Sequence, residues 1–233
     1  MKTVRITRPI VIASLMALMM PIVLFTPKAY AESYVAGQIG LVKPQSLSDG
    51  KVTQDGIGGL TLSDQPLKDS LGLGGKFGHY FTKARWIGVE TGLSYSTPHI
   101  KEGSLRFTGA GGSATLTGLS GVHQRMVTWD IDFLFRYPGY RLQPYFGIGP
   151  SFYFATLKGP AAPPGQSATS IGFNAELGAQ YYITRQWTLF GEGKYNRARM
   201  DYSSNHSNDN ADPFGFRATY SAFTFSVGIG YHF

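Results

Sequence analysis

The chain has 233 residues, 30 glycines, no cysteine and a formal net charge of +7 at pH 7. Residues 1–31 hold four of the 21 basic residues and no acidic one, so the remainder carries 17 basic against 14 acidic residues. Because no run of Lys and Arg is present, this balance excludes the usual inference from a basic chain to nucleic-acid binding, and the lack of cysteine excludes disulfides and a lipidated N-terminal cysteine.

The N-terminal segment has the features of an export signal. Three basic residues, Lys2, Arg5 and Arg8, precede the apolar stretch 10–25. The triplet 29–31, Ala-Tyr-Ala, offers small residues at the two positions that a signal peptidase recognises. We predict that residues 1–31 are cleaved and that residues 32–233 form one exported domain. A membrane anchor is the alternative, but the stretch contains Pro21 and is shorter than the roughly 20 residues that cross a bilayer as a helix.

Eight segments after this signal alternate with period two between apolar residues and small or polar ones, which predicts β-strands with one apolar face. These segments are residues 34–42, 71–81, 86–97, 127–137, 142–157, 170–183, 187–197 and 221–233. The pattern is weakest in the seventh, where Phe190 falls on the same parity as Glu192 and Lys194.

The fourth and eighth segments indicate which solvent the apolar face meets. In 127–137 six large apolar residues alternate with four polar residues and Leu134, and in 221–233 the large residues alternate with Ala, Thr, Ser, Gly and His. A soluble barrel packs its large side chains inside, whereas these strands need lipid outside and polar contents inside. The pattern therefore excludes a soluble ligand-binding barrel.

The connections between the eight segments alternate in length. The long connections are residues 43–70, 98–122, 158–169 and 198–217, and the short ones are 82–85, 138–141 and 184–186. Long external loops and short periplasmic turns are typical of outer-membrane barrels, and an even strand number places both termini in the periplasm. We predict an all-β fold, an eight-stranded antiparallel up-and-down transmembrane β-barrel, with an aromatic girdle beside the short turns. The girdle residues are Trp86, Tyr137, Tyr140 and Trp187.

Three segments carry a resemblance to a known family: QPYFGIGPSFYF at 143–154, WTLFGEGKY at 187–195 and the aromatic ending GIGYHF at 228–233. With them the chain resembles the OmpA-like and opacity-type family of eight-stranded outer-membrane barrels. The resemblance implies a surface-exposed, adhesin-like or structural role through the four long loops. Two-domain members carry a peptidoglycan-binding domain after the barrel, and we expect the barrel domain only.

The same ending resembles the C-terminal signal by which outer-membrane barrels are recognised for assembly, with Gly228, Tyr231 and Phe233 as its residues. This resemblance implies the barrel assembly machinery as a partner.

Charged residues on the inward-facing parity predict a network inside the barrel. They are Lys76, Glu90, Asp130, Asp132, Arg136, Glu176, Glu192 and Lys194. The lumen of an eight-stranded barrel has just enough room for side chains. Four of these residues lie roughly five positions from a short turn, which predicts one shared polar layer. The members of that layer are Lys76, Glu90, Asp132 and Glu192. The network either plugs the barrel or gates a narrow, cation-preferring channel for small solutes or ions.

We expect no enzyme, cofactor or metal site. His206 and Ser207 are adjacent in the fourth long loop, with Asp209 and Asp212 nearby, but adjacent residues on a loop do not fix a serine against its base. The same stretch lacks the spacing of a calcium loop, and the other four histidines are scattered singly. A lipid A-modifying hydrolase is the remaining alternative.

Basic residues near the loop bases are candidates for contacts with lipopolysaccharide phosphates, with ordinary solubilising charge as the alternative. They are Lys101, Arg106, Arg125, Lys158, Arg199 and Arg217. The expected partners are outer-membrane lipids, lipopolysaccharide, the assembly machinery and an extracellular ligand of the loops. We expect a monomer in a Gram-negative type outer membrane.

Overall fold

The structure is a computed structural model. It describes residues 32–52, 61–62, 67–99, 103–109, 112–119, 123–158, 166–204 and 216–233. The predicted signal peptide, residues 1–31, lies outside the described residues. Among the residues that are described, we find no helix that is long and apolar enough to cross a membrane.

The described residues contain twelve strands. They are β1 Glu32–Pro44, β2 Ser48–Val52, β3 Thr61–Leu62, β4 Ser70–Phe81, β5 Ala84–Ser96, β6 Gly103–Gly109, β7 Gly112–Leu119, β8 His123–Arg136, β9 Leu142–Lys158, β10 Gln166–Tyr182, β11 Trp187–Ser204 and β12 Phe216–His232.

Eight of these strands form a closed antiparallel barrel. Strands β1, β4, β5, β8, β9, β10, β11 and β12 pair in chain order, and β12 pairs back to β1. The closing register runs from Tyr34 opposite His232 to Pro44 opposite Ala222. The predicted eight-stranded up-and-down barrel is confirmed. We call the end with both chain termini and the short turns the terminal end, and the opposite end the loop end.

Burial alternates along the barrel strands as the period-two pattern predicts. On β12, Phe225, Val227 and Ile229 are exposed on the outer face, while Ser226 and Gly230 on the opposite parity are buried. Large apolar side chains therefore cover the outside of the barrel, the arrangement that a lipid environment stabilises.

The strands at the loop end are longer than predicted. Strands β9 and β10 have 17 residues each, and β11 has 18, although about 10 residues cross a bilayer. The prediction that 198–217 is a loop is wrong at both ends, because β11 and β12 stay paired as far as Tyr202 and Phe216. Backbone pairing continues into water, where the outer face no longer needs apolar residues and the hydropathy alternation fades.

Four short strands lie inside the predicted long loops 43–70 and 98–122. They extend the sheet at the loop end in the order β12, β2, β3, β6 and β7. Strand β2 pairs with β12 beyond the point where β1 ends, and Leu47 between β1 and β2 is buried. The sequence analysis did not predict these strands, because the segments are short and rich in Gly, Ser and Thr.

Candidate functional site

The lumen contains all eight of the charged residues singled out in the sequence. None of them is more than 7% exposed. Each lies on the inward parity of a barrel strand, which is the reason that residues distant in sequence meet there. Seven of the eight form one network, and Arg136 lies apart from it.

Lys76 on β4 is the centre of one half of the network. Its ammonium Nζ lies 3.0 Å from Glu90 Oε1, 2.5 Å from Glu192 Oε2 and 3.4 Å from Glu176 Oε2. The same ammonium lies 5.6 Å from the ring centroid of Phe190. Phe190 therefore points inward with Glu192, which accounts for the irregular parity of the seventh predicted segment.

Lys194 on β11 is the centre of the other half. Its Nζ lies 3.0 Å from Asp130 Oδ2, 3.0 Å from Glu176 Oε2 and 3.8 Å from Asp132 Oδ2. Glu176 Oε2 contacts both ammonium groups. This carboxylate joins the two halves into one charged layer, which we define as Lys76, Glu90, Asp130, Asp132, Glu176, Glu192 and Lys194.

Hydroxyl groups supply further hydrogen bonds to the charged layer. Tyr34 donates to Glu90, Tyr145 donates to Glu192 at 2.7 Å, and Ser151 donates to Asp130 at 2.5 Å. The sequence analysis did not include these donors in the network. Their positions on the inward parity of the strands could have identified them as lumenal residues.

The charged layer has five carboxylates and two ammonium groups. Neither oxygen of Asp132 accepts a hydrogen bond from a described residue. Glu90, Asp132 and Glu176 each place a carboxylate oxygen within 4.8 Å of the others, and such oxygens are the ligand type that hard cations prefer. Lys76 and Lys194 already hold positive charge against these carboxylates, and the excess of acids makes the layer favourable for cations over anions.

Arg136 belongs to a separate cluster at the terminal end. Its guanidinium Nη1 and Nη2 donate to the Glu32 carboxylate at 2.9 and 2.5 Å, and it lies 3.6 Å above the ring of Tyr80. Glu32 also contacts His232 Nδ1 at 2.8 Å and accepts a hydrogen bond from Tyr182. The sequence analysis did not identify Glu32, because it precedes the predicted first strand, 34–42.

An apolar cluster fills the lumen at the loop end. Its largest members, Tyr153, Met200, Tyr202 and Tyr220, are almost completely buried. The full cluster is Val42, Leu47, Leu67, Met126, Tyr153, Ala155, Leu157, Ala168, Ala198, Met200, Tyr202, Ala218, Tyr220 and Ala222. The sequence analysis did not identify this cluster, because many of its residues lie in segments predicted as loops.

Two small cavities flank the charged layer. One of about 50 Å³ lies towards the loop end and is lined by Asp130, Tyr153, Glu192 and Lys194 among others. The other, of about 10 Å³, lies towards the terminal end beside Tyr34. A water molecule needs roughly 10–15 Å³. The first cavity can therefore hold water, and the second is at the lower limit.

The histidines are less isolated than the sequence suggested. His99 and His123 form an isolated β-bridge, and their rings lie 5.3 Å apart. Ser33 Oγ and His79 Nδ1 lie 2.9 Å apart. Within the described residues no carboxylate contacts His79, so this pair lacks the third member of a hydrolytic triad. His206, Ser207, Asp209 and Asp212 lie outside the described residues.

Residues near the two ends of the outer wall have different characters. Near the short turns, Trp86 and Trp187 are exposed, and the rings of Tyr137 and Tyr140 stack at 5.8 Å. At the loop end the basic residues Arg125, Lys158 and Arg199 are exposed, whereas Arg217 donates to Asp201 at 2.9 and 2.5 Å. Lys101 and the side chain of Arg106 lie outside the described part of the chain.

The assembly-signal residues lie at the seam that closes the barrel. Ser33 and Phe233 exchange backbone hydrogen bonds of 3.2 and 2.9 Å. The rings of Tyr231 and Phe233 stack on the outer face, 6.4 Å apart. A Cβ at Gly228 would lie 2.3 Å from the carbonyl oxygen of Gly37, so glycine is required there for close strand approach. Recognition by an assembly machinery stays a prediction.

Comparisons with known proteins agree on the architecture. The family described as outer membrane protein beta-barrel domain matches residues 10–233. The outer membrane protein OprG from Pseudomonas aeruginosa is similar in structure, with a TM-score of 0.62 and 17% identity, over 87% of this chain and 96% of that one. The outer membrane protein AlkL, determined in DMPC bilayers, has a TM-score of 0.51 and 15% identity, over 90% and 94% of the two chains. No curated protein sequence matches the chain.

Proposed function

This chain belongs to the outer membrane protein beta-barrel domain family, and on that premise we propose that it is a closed outer-membrane scaffold that acts through its exposed loop end. One observation carries this proposal: buried side chains fill the lumen at three successive levels. These levels are the Arg136–Glu32 cluster, the charged layer and the apolar cluster. A barrel filled in this way offers its outer surface, rather than an open pore, for function.

The loop end is suited to a surface interaction. Strands β2, β3, β6 and β7 extend the sheet beyond the barrel, and binding residues commonly lie on loops that a rigid scaffold positions. An extracellular ligand bound there would make the protein adhesin-like. The non-enzymatic role is part of this proposal, supported by the incomplete Ser33–His79 pair.

A narrow channel is the second candidate function. It is favoured by the cavities of about 50 and 10 Å³ on the two sides of the charged layer and by the excess of carboxylates in that layer. Water in both cavities would leave only the charged layer between them. Movement of Lys76 or Lys194 would then let small cations pass from one cavity to the other.

Planar-bilayer recordings of the purified protein distinguish the two functions. The scaffold proposal predicts a folded barrel, identified by its heat-dependent gel shift, that produces no discrete current steps. The channel proposal predicts small cation-selective steps that change when Glu90 is replaced by Gln. Asp201→Asn is the matched control, because this carboxylate lies on the outer wall near the loop end. Steps that respond to Glu90→Gln and not to the control would overturn the closed scaffold.

Export and orientation are also part of the proposal. We infer that residues 1–31 are removed, that the terminal end faces the periplasm and that the assembly machinery recognises the last strand. Mass spectrometry of the purified protein tests the cleavage site: a mature chain that begins at Glu32 is expected, and retention of residues 1–31 contradicts it.

Cysteine labelling tests the orientation, because the natural chain has no cysteine. Asp69 is exposed at the loop end and Arg185 is exposed in a short turn. An impermeant maleimide added to intact cells should label Asp69→Cys and leave Arg185→Cys unlabelled. The reverse pattern would invert the proposed orientation.

A further inference from the structure

A groove of about 640 Å³ lies on the outer wall at the loop end. Its lining comes from β10, β11, β12 and β2, and includes Ile171, Phe173, Arg197, Arg199, Thr219 and Lys51. The register of β10 and β11 passes from the Ser167–Ser203 pair directly to the Gly172–Ala198 pair. The ladder is therefore open over four residues of each strand beside the groove.

The groove has an excess of unpaired positive charge. Lys51, Arg197 and Arg199 are exposed, and within the described residues no carboxylate lies within ion-pair distance of them. Asp49 is the one acidic residue of the lining, and it accepts a hydrogen bond from Thr219 at 3.4 Å. By contrast, Arg217 outside the groove is paired with Asp201.

The depth of the groove matches a membrane interface. Arg197 lies ten residues beyond Trp187 on β11. With a rise of about 3.3 Å per residue and a strand tilt of about 40°, this separation is about 25 Å along the membrane normal. Because Trp187 belongs to the aromatic girdle on one side of the apolar band, Arg197 and Arg199 lie at the headgroup level of the opposite leaflet.

The groove also offers apolar surface at the same level. Ile171 and Phe173 are 69% and 44% exposed, and Phe173 is the ladder partner of Arg197. A ligand that fits these neighbours has an anionic group for the guanidinium and ammonium groups and a hydrocarbon chain for the apolar side chains. Guanidinium groups bind phosphate oxygens through paired, charge-assisted hydrogen bonds.

We propose that this groove binds one phosphorylated glycolipid molecule of the outer leaflet. Arg197, Arg199 and Lys51 contact its phosphate, and Ile171 and Phe173 contact an acyl chain. The inference rests on the proposed orientation, with the loop end outside. It assigns lipid binding to a defined place on the wall, where Lys51 and Arg197 lie together with Arg199.

Binding of purified lipid A to the detergent-solubilised barrel tests the proposal. Native mass spectrometry would compare diphosphorylated lipid A with the same lipid after removal of both phosphates. We expect the phosphorylated lipid to bind more tightly, and the double variant Arg197→Gln, Arg199→Gln to lose about tenfold or more of that affinity. The matched control is Arg125→Gln, Lys158→Gln, which removes two exposed basic residues outside the groove and should bind like the natural protein.

Two results would overturn the groove proposal: equal binding of the phosphorylated and dephosphorylated lipids, or equal losses in the groove and control variants. The heat-dependent gel shift of each variant verifies that it is folded. The measurement in detergent does not depend on orientation, so cysteine labelling at Asp69 separates failure of the groove from failure of the proposed orientation.

Discussion

Among single residues, the two lysines of the charged layer have the largest expected effects. Lys194 contacts the carboxylates of Asp130, Asp132 and Glu176. No second ammonium of the layer contacts Asp130 or Asp132 among the described residues. Removal of this charge would leave buried carboxylates without compensation, and removal of one partner from a buried ion pair typically costs about 3–5 kcal/mol.

Replacement of Lys194 by Met should therefore lower the free energy of unfolding by about 3–5 kcal/mol at neutral pH. Urea titration of the barrel in phospholipid vesicles measures this. The difference in the free energy of unfolding between Lys194→Met and the natural protein should be smaller in acidic buffer, because protons then neutralise the carboxylates. Lys158→Met, at an exposed position, is the control and should change stability by about 0.5 kcal/mol or less. An unchanged unfolding midpoint for Lys194→Met would show that Lys194 does not stabilise the layer.

At the level of the strands, β8 and β9 approach closely beside the charged layer. A Cβ added to Gly149 would lie 1.9 Å from the carbonyl oxygen of Ile131 and 2.8 Å from Asp132 Oδ1. The β8–β9 register also passes from Asp130 directly to Phe133. Glycine at this position lets the backbone of β9 approach β8 and leaves room for the Asp132 carboxylate.

Gly149→Ala should destabilise the barrel by about 1–3 kcal/mol, because the backbone oxygen it meets cannot rotate away. Gly37→Ala is the matched control, since a Cβ there would have no atom within 4 Å. Both variants would be compared by urea unfolding in vesicles. Equal midpoints for Gly149→Ala and the control would contradict the close approach of β8 and β9.

The last strand has two separable contributions, one from the Phe233 side chain and one from its backbone. The ring is exposed, while the backbone N–H donates to the Ser33 carbonyl at 2.9 Å. If the assembly machinery recognises the ring, Phe233→Ala should reduce the amount of barrel in outer-membrane fractions almost as much as deletion of Phe233. Refolding of purified Phe233→Ala into vesicles should stay close to normal, because the seam is intact. Normal membrane amounts of Phe233→Ala would exclude recognition of the ring.

For the molecule as a whole, the outer face is an apolar band bounded by an aromatic girdle and by the basic groove. Val227 is exposed on this band, four residues from Tyr231 of the terminal end. Thr219, on the same face of β12, lines the groove. The band implies that a charge on the outer face lowers the free energy of unfolding by an amount that depends on its depth in the bilayer.

Val227→Arg should destabilise the barrel in vesicles by about 2–4 kcal/mol, the cost of a charge near the bilayer midplane. Thr219→Arg should cost about 0–1 kcal/mol, because it lies near the interface. Urea titration of both variants in the same lipid provides the comparison. Equal costs at the two positions would contradict the placement of the band.

The amino-acid sequence predicts the eight-stranded barrel and the side of the wall on which most residues of the predicted strands lie. These properties follow from period-two alternation, which is local: residues two apart share a face, and each face meets one environment. The same alternation identified all eight charged residues of the lumen. It grouped Arg136 with the other seven, whereas in the structure Arg136 pairs with Glu32. It also identified the short turns correctly, because tight connections interrupt the pattern sharply.

The contacts across the lumen depend on the three-dimensional arrangement of the strands. Lys76 and Glu192 are 116 positions apart, and their contact depends on the stagger between strands, which no local pattern contains. The same holds for the Arg136–Glu32 pair, the His99–His123 bridge and the outer groove. The length of the strands at the loop end was likewise decided by backbone pairing in water, where side-chain hydropathy no longer marks the two faces.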